Sequence, residues 1–251
     1  MSTPGDENPP VALAVSEEIA TLTLSRPANR NALTPELLTS LLSRIEQAEE
    51  LGARVVVLAA DGPAFSAGLN LREQDPGRQR LGIRLLLDAM RRILVSPLPF
   101  IARIHGPVRA GGLGLVTAAD FAITADSVTF AFPEVRLGLA PAVVSTTVLP
   151  RLHSRDATRL FLTAETVTAA DAVAAGLIDA CAPAPALDEQ VSEHARVLLL
   201  GHPQGTAATK ALLTRALVAD IDQRRDELIG VSHWLFTSPA AREAIAARRP
   251  S

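Results

Sequence analysis

The chain has 251 residues, 48% of them hydrophobic and 20% charged, with a formal net charge of −3. That composition fits a globular chain with a sizeable core and excludes a disordered one. Basic residues are scattered, aromatic residues make up only 3%, and Tyr is absent, so neither a basic nucleic-acid stripe nor a base-stacking platform is expected.

The opening MSTPGDENPP has neither a basic nor an apolar targeting segment and reads as a short lead-in over residues 1–10. VALAVSEEIATLTL, residues 11–24, reads as two strands around a turn at Ser16-Glu17-Glu18. Thr34 followed by Pro35 opens a helix, with Thr34 as N-cap and Pro35 at the first helical position. ARVVVLAA, residues 53–60, holds a continuous apolar run in which β-branched residues dominate and reads as a strand buried on both faces. A helix near 80–95 and a strand at 100–105 follow. A glycine-rich stretch then opens a helix running to about 118, and two short strands, FAIT and VTFAF, come next. This alternation predicts largely parallel sheets with right-handed crossovers. The remainder reads as helices near 154–164, 168–175, 186–200, 203–219, 221–235 and 238–247, interrupted by GLIDA. No apolar stretch approaches the roughly 20 residues of a membrane span, and a cytoplasmic protein is expected. The single cysteine, Cys181, excludes an intrachain disulfide and reads as a small buried hydrophobe.

Two stretches have the form of backbone donor sites. PAFSAGLNLRE, residues 63–73, follows the buried strand, and HGPVRAGGLGL, residues 105–115, opens a helix whose first N–H groups lack intrahelical partners. Facing each other, two such loops could aim two N–H groups at one oxygen. Gly111 and Gly112 could equally serve close helix–sheet packing. AFSAG lacks the first glycine of the nucleophile elbow, so Ser66 makes a weak nucleophile candidate. Gly112-Leu113-Gly114 lacks the third glycine of a dinucleotide fingerprint, since Thr117 stands there.

Phe130 and Phe132 share one face of a strand by its period of two, and Glu134 joins them if the strand continues past Pro133. A carboxylate against two phenyl rings is desolvated and pushed toward neutral pH, as acid–base chemistry requires. The alternative is an ion pair with Arg136 or with a neighbouring helix.

Taken in order, SRPANRNALTPEL, AFSAGLNLRE, RAGGLGLVTAADFAIT and FAFPEVRLGLAPAVV resemble the enoyl-CoA hydratase/isomerase, or crotonase, superfamily from about residue 11 to 245. The resemblance implies a spiral α/β core of repeated β-β-α units over 11–195 and a helical C-terminal region over 196–251 that makes oligomer contacts. It also implies a homotrimer or hexamer, and an acyl-CoA substrate whose thioester oxygen meets two backbone N–H groups. Carried onto this chain, those donors fall on Ala67 and Gly111 and the acid–base carboxylate on Glu134. Arg26, Arg30, Ala64, Ser66, Gly68, Leu69 and Asn70 fall in the substrate and coenzyme A segment, with Arg72 beside them. Coenzyme A enters only as part of the substrate, and no metal is expected.

The departures bear on mechanism. Hydratases of this family with two glutamates carry the first where this chain has Gly114, so Glu134 stands alone. An isomerase needs one base, and a hydratase could use one glutamate for both proton transfers; hydration is the favoured reading, 3,2-isomerisation the runner-up. A non-catalytic acyl-CoA-binding member of the fold is the alternative of another class. Asn70 replaces the family's usual aspartate and is expected to bond nearby backbone. His105 and Asp120 read as structural, and Lys210 as a basic residue placed against coenzyme A. Trp234 is expected to be buried against another helix or subunit, and residues 74–100 to shape the acyl-tail pocket.

Overall fold

The computed structural model describes residues 9–247, so most of the expected lead-in lies outside the described residues. Strands β1 (Val11–Ser16) and β2 (Ile19–Leu24) form a hairpin. Glu17 and Glu18 both adopt positive φ, 51° and 63°, the geometry that lets a two-residue turn match the strand twist. Thr34 caps α1 (Pro35–Glu50), its side chain accepting from the Leu37 N–H at 3.3 Å. All six residues of β3 (Val55–Ala60) are buried, because β3 lies in parallel between β2 and β4 (Phe100–Ile104). The main sheet is completed by β6 (Phe121–Ala125) and β9 (Ala180–Ala182), in the order β1-β2-β3-β4-β6-β9. Only its β1–β2 pair is antiparallel. A smaller sheet, β5-β7-β8, is built from β5 (Val108–Arg109), β7 (Thr129–Ala131) and β8 (Val167–Thr168).

Helix α2 (Pro76–Val95) begins before the expected position near 80. Asp75 caps it, accepting from Arg78 N–H at 2.8 Å, and Pro76 takes the first turn. α3 (Gly111–Ala118) is buried throughout. α4 (Ala142–Val148), which the sequence did not suggest, packs on α3, and the buried hydroxyls of Thr117 and Thr147 sit 2.8 Å apart between them. α5 (Ser154–Thr163), α6 (Ala169–Ala174) and α7 (Leu187–Leu199) follow. α8 (Pro203–Thr237) is one helix of 35 residues rather than two, and α9 (Pro239–Ala247) ends the described chain. No helix among the described residues is long and apolar enough to cross a membrane.

A boundary at residue 195 cuts through α7, which packs on β4 and β6, so the core does not end there. α8 lies along α2, fastened by a bidentate Arg91–Asp222 pair at 2.5 and 2.9 Å and by Arg225–Asp88 at 2.5 Å. Lys210 is buried within its own chain. Its Nζ donates to the Leu98 carbonyl at 2.7 Å, pairs with Asp120 at 2.7 Å and lies 4.8 Å above the Phe100 ring. A lysine so engaged is not available to coenzyme A, and that expectation is corrected. Asp120 also accepts from the Phe100 N–H at 2.7 Å, a structural role as expected. One burial expectation fails: Cys181 is exposed, on an edge strand of the main sheet. Trp234 is 68% exposed on the outer face of α8, so no helix of its own chain buries it.

Candidate active site

The site is laced together around the two-residue strand β5. Asn31, fully buried, anchors the first loop: its Nδ2 donates to the carbonyls of Asp61 at 2.8 Å and Ala64 at 3.0 Å. Ser66 donates its hydroxyl to the Asn31 carbonyl at 2.9 Å and accepts from the Gly68 N–H at 3.2 Å. With both hydrogen-bonding roles engaged in fastening the loop, and no histidine bonded to it, Ser66 is not built as a nucleophile. The Arg109 N–H donates to the Ser66 carbonyl at 3.0 Å and the Ala110 N–H to the Ala131 carbonyl at 3.1 Å. These bonds join the first loop, the start of α3 and β7 into one frame.

That frame corrects the expected donor. The Ala67 N–H donates to the Arg30 carbonyl at 2.9 Å and is consumed by the loop itself. The N–H groups of Leu69 and Gly111 have no acceptor among the described residues. Gly111 occupies the first position of α3, where an N–H lacks an intrahelical partner. The two segments touch: a β-carbon on Gly111 would lie 3.4 Å from the Leu69 nitrogen. Gly68 must be glycine twice over. Its φ is +84°, and a β-carbon there would meet Ala110 Cβ at 2.8 Å and the Arg109 oxygen at 2.9 Å. Gly112 is packing glycine, since its β-carbon would lie 2.8 Å from Ser66 Cβ. Ala110 holds φ +49° at the turn that presents Gly111, an uncommon state for a residue with a β-carbon.

Glu134 sits across the cavity. β7 ends at Ala131, and Glu134 is carried by a 3₁₀ turn, Pro133–Leu137, rather than by the continued strand. The consequence expected of a shared face survives the change. Phe130 and Phe132 are buried, Glu134 is 8% exposed, and its Oε2 has no hydrogen-bond partner among the described residues. Burial pushes its pKa up to about 7, offset in part by its own backbone N–H. It does not pair with Arg136, which donates to the Thr163 carbonyl at 3.0 Å.

A cavity of about 770 Å³ joins these parts. Of the expected residues, Arg30, Ala64, Ser66, Ala67, Leu69, Asn70, Arg72, Gly111 and Glu134 line it. Gly68 stands behind the wall, and the Arg26 side chain, which donates to the Ser25 carbonyl at 2.8 Å, lies off it. Asn70 Oδ1 accepts from the Arg72 N–H at 3.1 Å, the local backbone bond expected of it. His105 is structural, its Nε2 2.7 Å from the Gly62 carbonyl. Glu134 is the one carboxylate on the cavity wall among the described residues. Glu73 pairs with Arg78 at 2.9 Å and Asp88 with Arg225 at 2.5 Å, so neither nearby acid is available as a substitute. From residues 74–100 only Leu86 lines the cavity. Much of the apolar wall comes instead from Leu137, Leu139, Val143 and Val144, and from Phe236 and Ile245 near the C-terminus. Sequence reading missed these last two, since no local pattern announces which cavity a distant helix will reach.

Residues 14–247 match the family described as Enoyl-CoA hydratase/isomerase. The chain is 31% identical over 240 residues to an enoyl-CoA isomerase/hydratase of Mycosarcoma maydis, covering 90% of this chain and 88% of that one. It is 30% identical over 247 residues to the human enoyl-CoA hydratase domain-containing protein 3, mitochondrial, covering 95% of this chain and 78% of that one. A solved enoyl-CoA hydratase from Mycobacterium avium superposes with a TM-score of 0.88 at 39% identity, over 96% of both chains. Fold, ordered motifs and comparisons agree: this chain belongs to the enoyl-CoA hydratase/isomerase family and has the crotonase fold.

Proposed function

We propose that the protein is an enoyl-CoA hydratase that works with a single carboxylate. The observation that carries this reading is the unpartnered Oε2 of Glu134, buried in the same cavity as the acceptor-free N–H groups of Leu69 and Gly111. The thioester oxygen of a 2-enoyl-CoA is received by those two N–H groups. Ionised Glu134 takes a proton from water as the water oxygen bonds to C3. The electron pair of the double bond moves toward the thioester, and the negative charge on its oxygen is held by the two donors. The protonated Glu134 then gives its proton to C2, restoring the carboxylate and releasing the 3-hydroxyacyl thioester. A carboxyl group with pKa near 7 suits both halves of this exchange. The cycle balances with water and thioester alone, so activity is expected to persist in EDTA.

The absence of a carboxylate at Gly114 favours a second reading, 3,2-enoyl-CoA isomerisation, in which the same glutamate removes a proton from C2 and returns it at C4. Turnover of crotonyl-CoA against a 3-enoyl-CoA decides between them. Hydration of crotonyl-CoA at the higher kcat/KM supports the first; conversion of the 3-enoyl substrate alone overturns it. In either case Glu134→Gln lowers kcat by at least about a hundredfold. Retention of half of kcat refutes the role of Glu134.

We also propose a homotrimer or hexamer. Val197, Leu200, Leu212 and Leu213 expose 57 to 86% of their surface on α7, the residue that follows it, and α8, more apolar surface than a lone helix pair ordinarily leaves in water. Light scattering that finds a stable, active monomer at micromolar concentration overturns this.

A further inference from the structure

Part of the apolar packing at the turn that carries Glu134 lies outside the main hydrophobic core. Leu137, Leu139 and Ala241 form a separate cluster, against which Leu71, Phe236 and Ile245 pack. Ala241 is fully buried and docks on Gly138, the residue that closes the 3₁₀ turn carrying Glu134. Gly138 has φ +67°, and a β-carbon there would stand 3.3 Å from the Ala241 nitrogen. The α8–α9 corner is thereby seated directly behind the catalytic glutamate. It sends Phe236 and Ile245 into the cavity, and Ser232 is the one polar side chain among the C-terminal lining residues. The arginines of the cavity, Arg30, Arg72 and Arg109, come from other segments.

We infer that this corner of the chain's own C-terminus sets which acyl tails the site accepts, with Phe236 and Ile245 as the length-determining residues for an uncharged hydrocarbon tail. The inference rests on the acyl-CoA reading given above. A wall of two large apolar side chains limits length by filling space, and discrimination per methylene in such a pocket runs to about tenfold or more. The wall docks on the turn at Gly138 and Ala241, whereas the donors on Leu69 and Gly111 are fixed by the β5 frame, so the tail preference can shift without removing them.

The test is a binding series, independent of turnover. Isothermal titration of saturated acyl-CoA thioesters from butyryl to decanoyl compares the full-length protein with Phe236→Ala, Phe236→Leu and Ile245→Ala. Trp234→Ala, on the same helix but 68% exposed and off the cavity, is the control. Phe236→Ala is expected to raise the decanoyl-to-butyryl affinity ratio at least about tenfold. Phe236→Leu and Ile245→Ala should move it less and in the same direction, and Trp234→Ala should leave it unchanged. Ratios unmoved in the three wall variants, or moved as far by Trp234→Ala, overturn the inference. If Phe236→Ala does not fold, the other two wall variants carry the test. Binding with a shifted ratio but no enoyl-CoA turnover would overturn the proposed function and leave the wall standing. Turnover with unshifted ratios would do the reverse, and failure to bind any acyl-CoA overturns both.

Discussion

The sulfur of Met90 lies 2.8 Å from the point that a β-carbon on Gly114 would occupy, and Val144 Cγ1 lies 2.9 Å from it. The place where relatives with two glutamates carry a second carboxylate is therefore filled by packed apolar atoms. Gly114→Glu is expected to lower Tm sharply and to leave turnover no higher than before, because it overpacks a buried helix and inserts a charge with no partner. Thermal melts with an enoyl-CoA assay check this; a folded variant with raised kcat contradicts it.

The raised pKa of Glu134 has two consequences of opposite kind. As a base it must be ionised, so kcat/KM should rise about tenfold per pH unit below about 7 and level off above it. Stability runs the other way. Between the ordinary glutamate value of 4.5 and about 7, the folded protein holds a proton that the unfolded chain has released. Stability therefore falls as pH rises through that window and stays lower above it. Glu134→Gln removes the penalty and should be more stable than wild type at about pH 8 by on the order of 2–4 kcal/mol, with no such gain at about pH 4. Urea melts at the two pH values measure it; equal stabilities at the higher pH refute the burial argument.

Ala110 keeps φ +49° because its N–H and carbonyl are both engaged, to the Ala131 carbonyl at 3.1 Å and from the Leu113 N–H at 2.9 Å. Ala110→Gly is expected to relieve strain worth about 1–3 kcal/mol, less the entropy that glycine adds to the unfolded chain. A net gain in stability with unchanged kcat is the expected result, and a loss above about 1 kcal/mol contradicts it.

The Lys210–Asp120 pair should behave as a buried structural tie. Lys210→Met leaves Asp120 without its cation and should cost about 3–5 kcal/mol. The double change with Asp120→Asn should cost less than the sum of the singles. Affinity for coenzyme A thioesters should not move, and a selective loss of that affinity would return Lys210 to the binding site.

Local signals made much of the fold legible. β-branched runs marked β2 and β3, Thr34-Pro35 marked the start of α1, and the alternation of strand and helix gave the parallel sheet. α4 escaped because Val143, Val144, Thr146 and Thr147 are β-branched, and no side chain caps its start. α8 was read as two helices because its buried residues are too sparse for one continuous stripe over 35 residues. At the site, Phe130 and Phe132 hinted at the burial of Glu134, while the acid–base role was assigned only with the family resemblance. The donor on the first loop was not legible. Whether Ala67 or Leu69 keeps a free N–H depends on the Arg30 carbonyl, more than 30 residues away in sequence, and no local spacing encodes that bond.

Cys181, exposed on the edge strand β9, is the sole thiol of the chain, and Trp234 on α8 is its sole indole. Neither lines the cavity. One maleimide dye at Cys181 and one intrinsic fluorophore at Trp234 thus form a ready donor–acceptor pair, without any engineered label site. Energy transfer between them would report on the placement of the long C-terminal helix relative to the sheet as acyl chains of different length are bound.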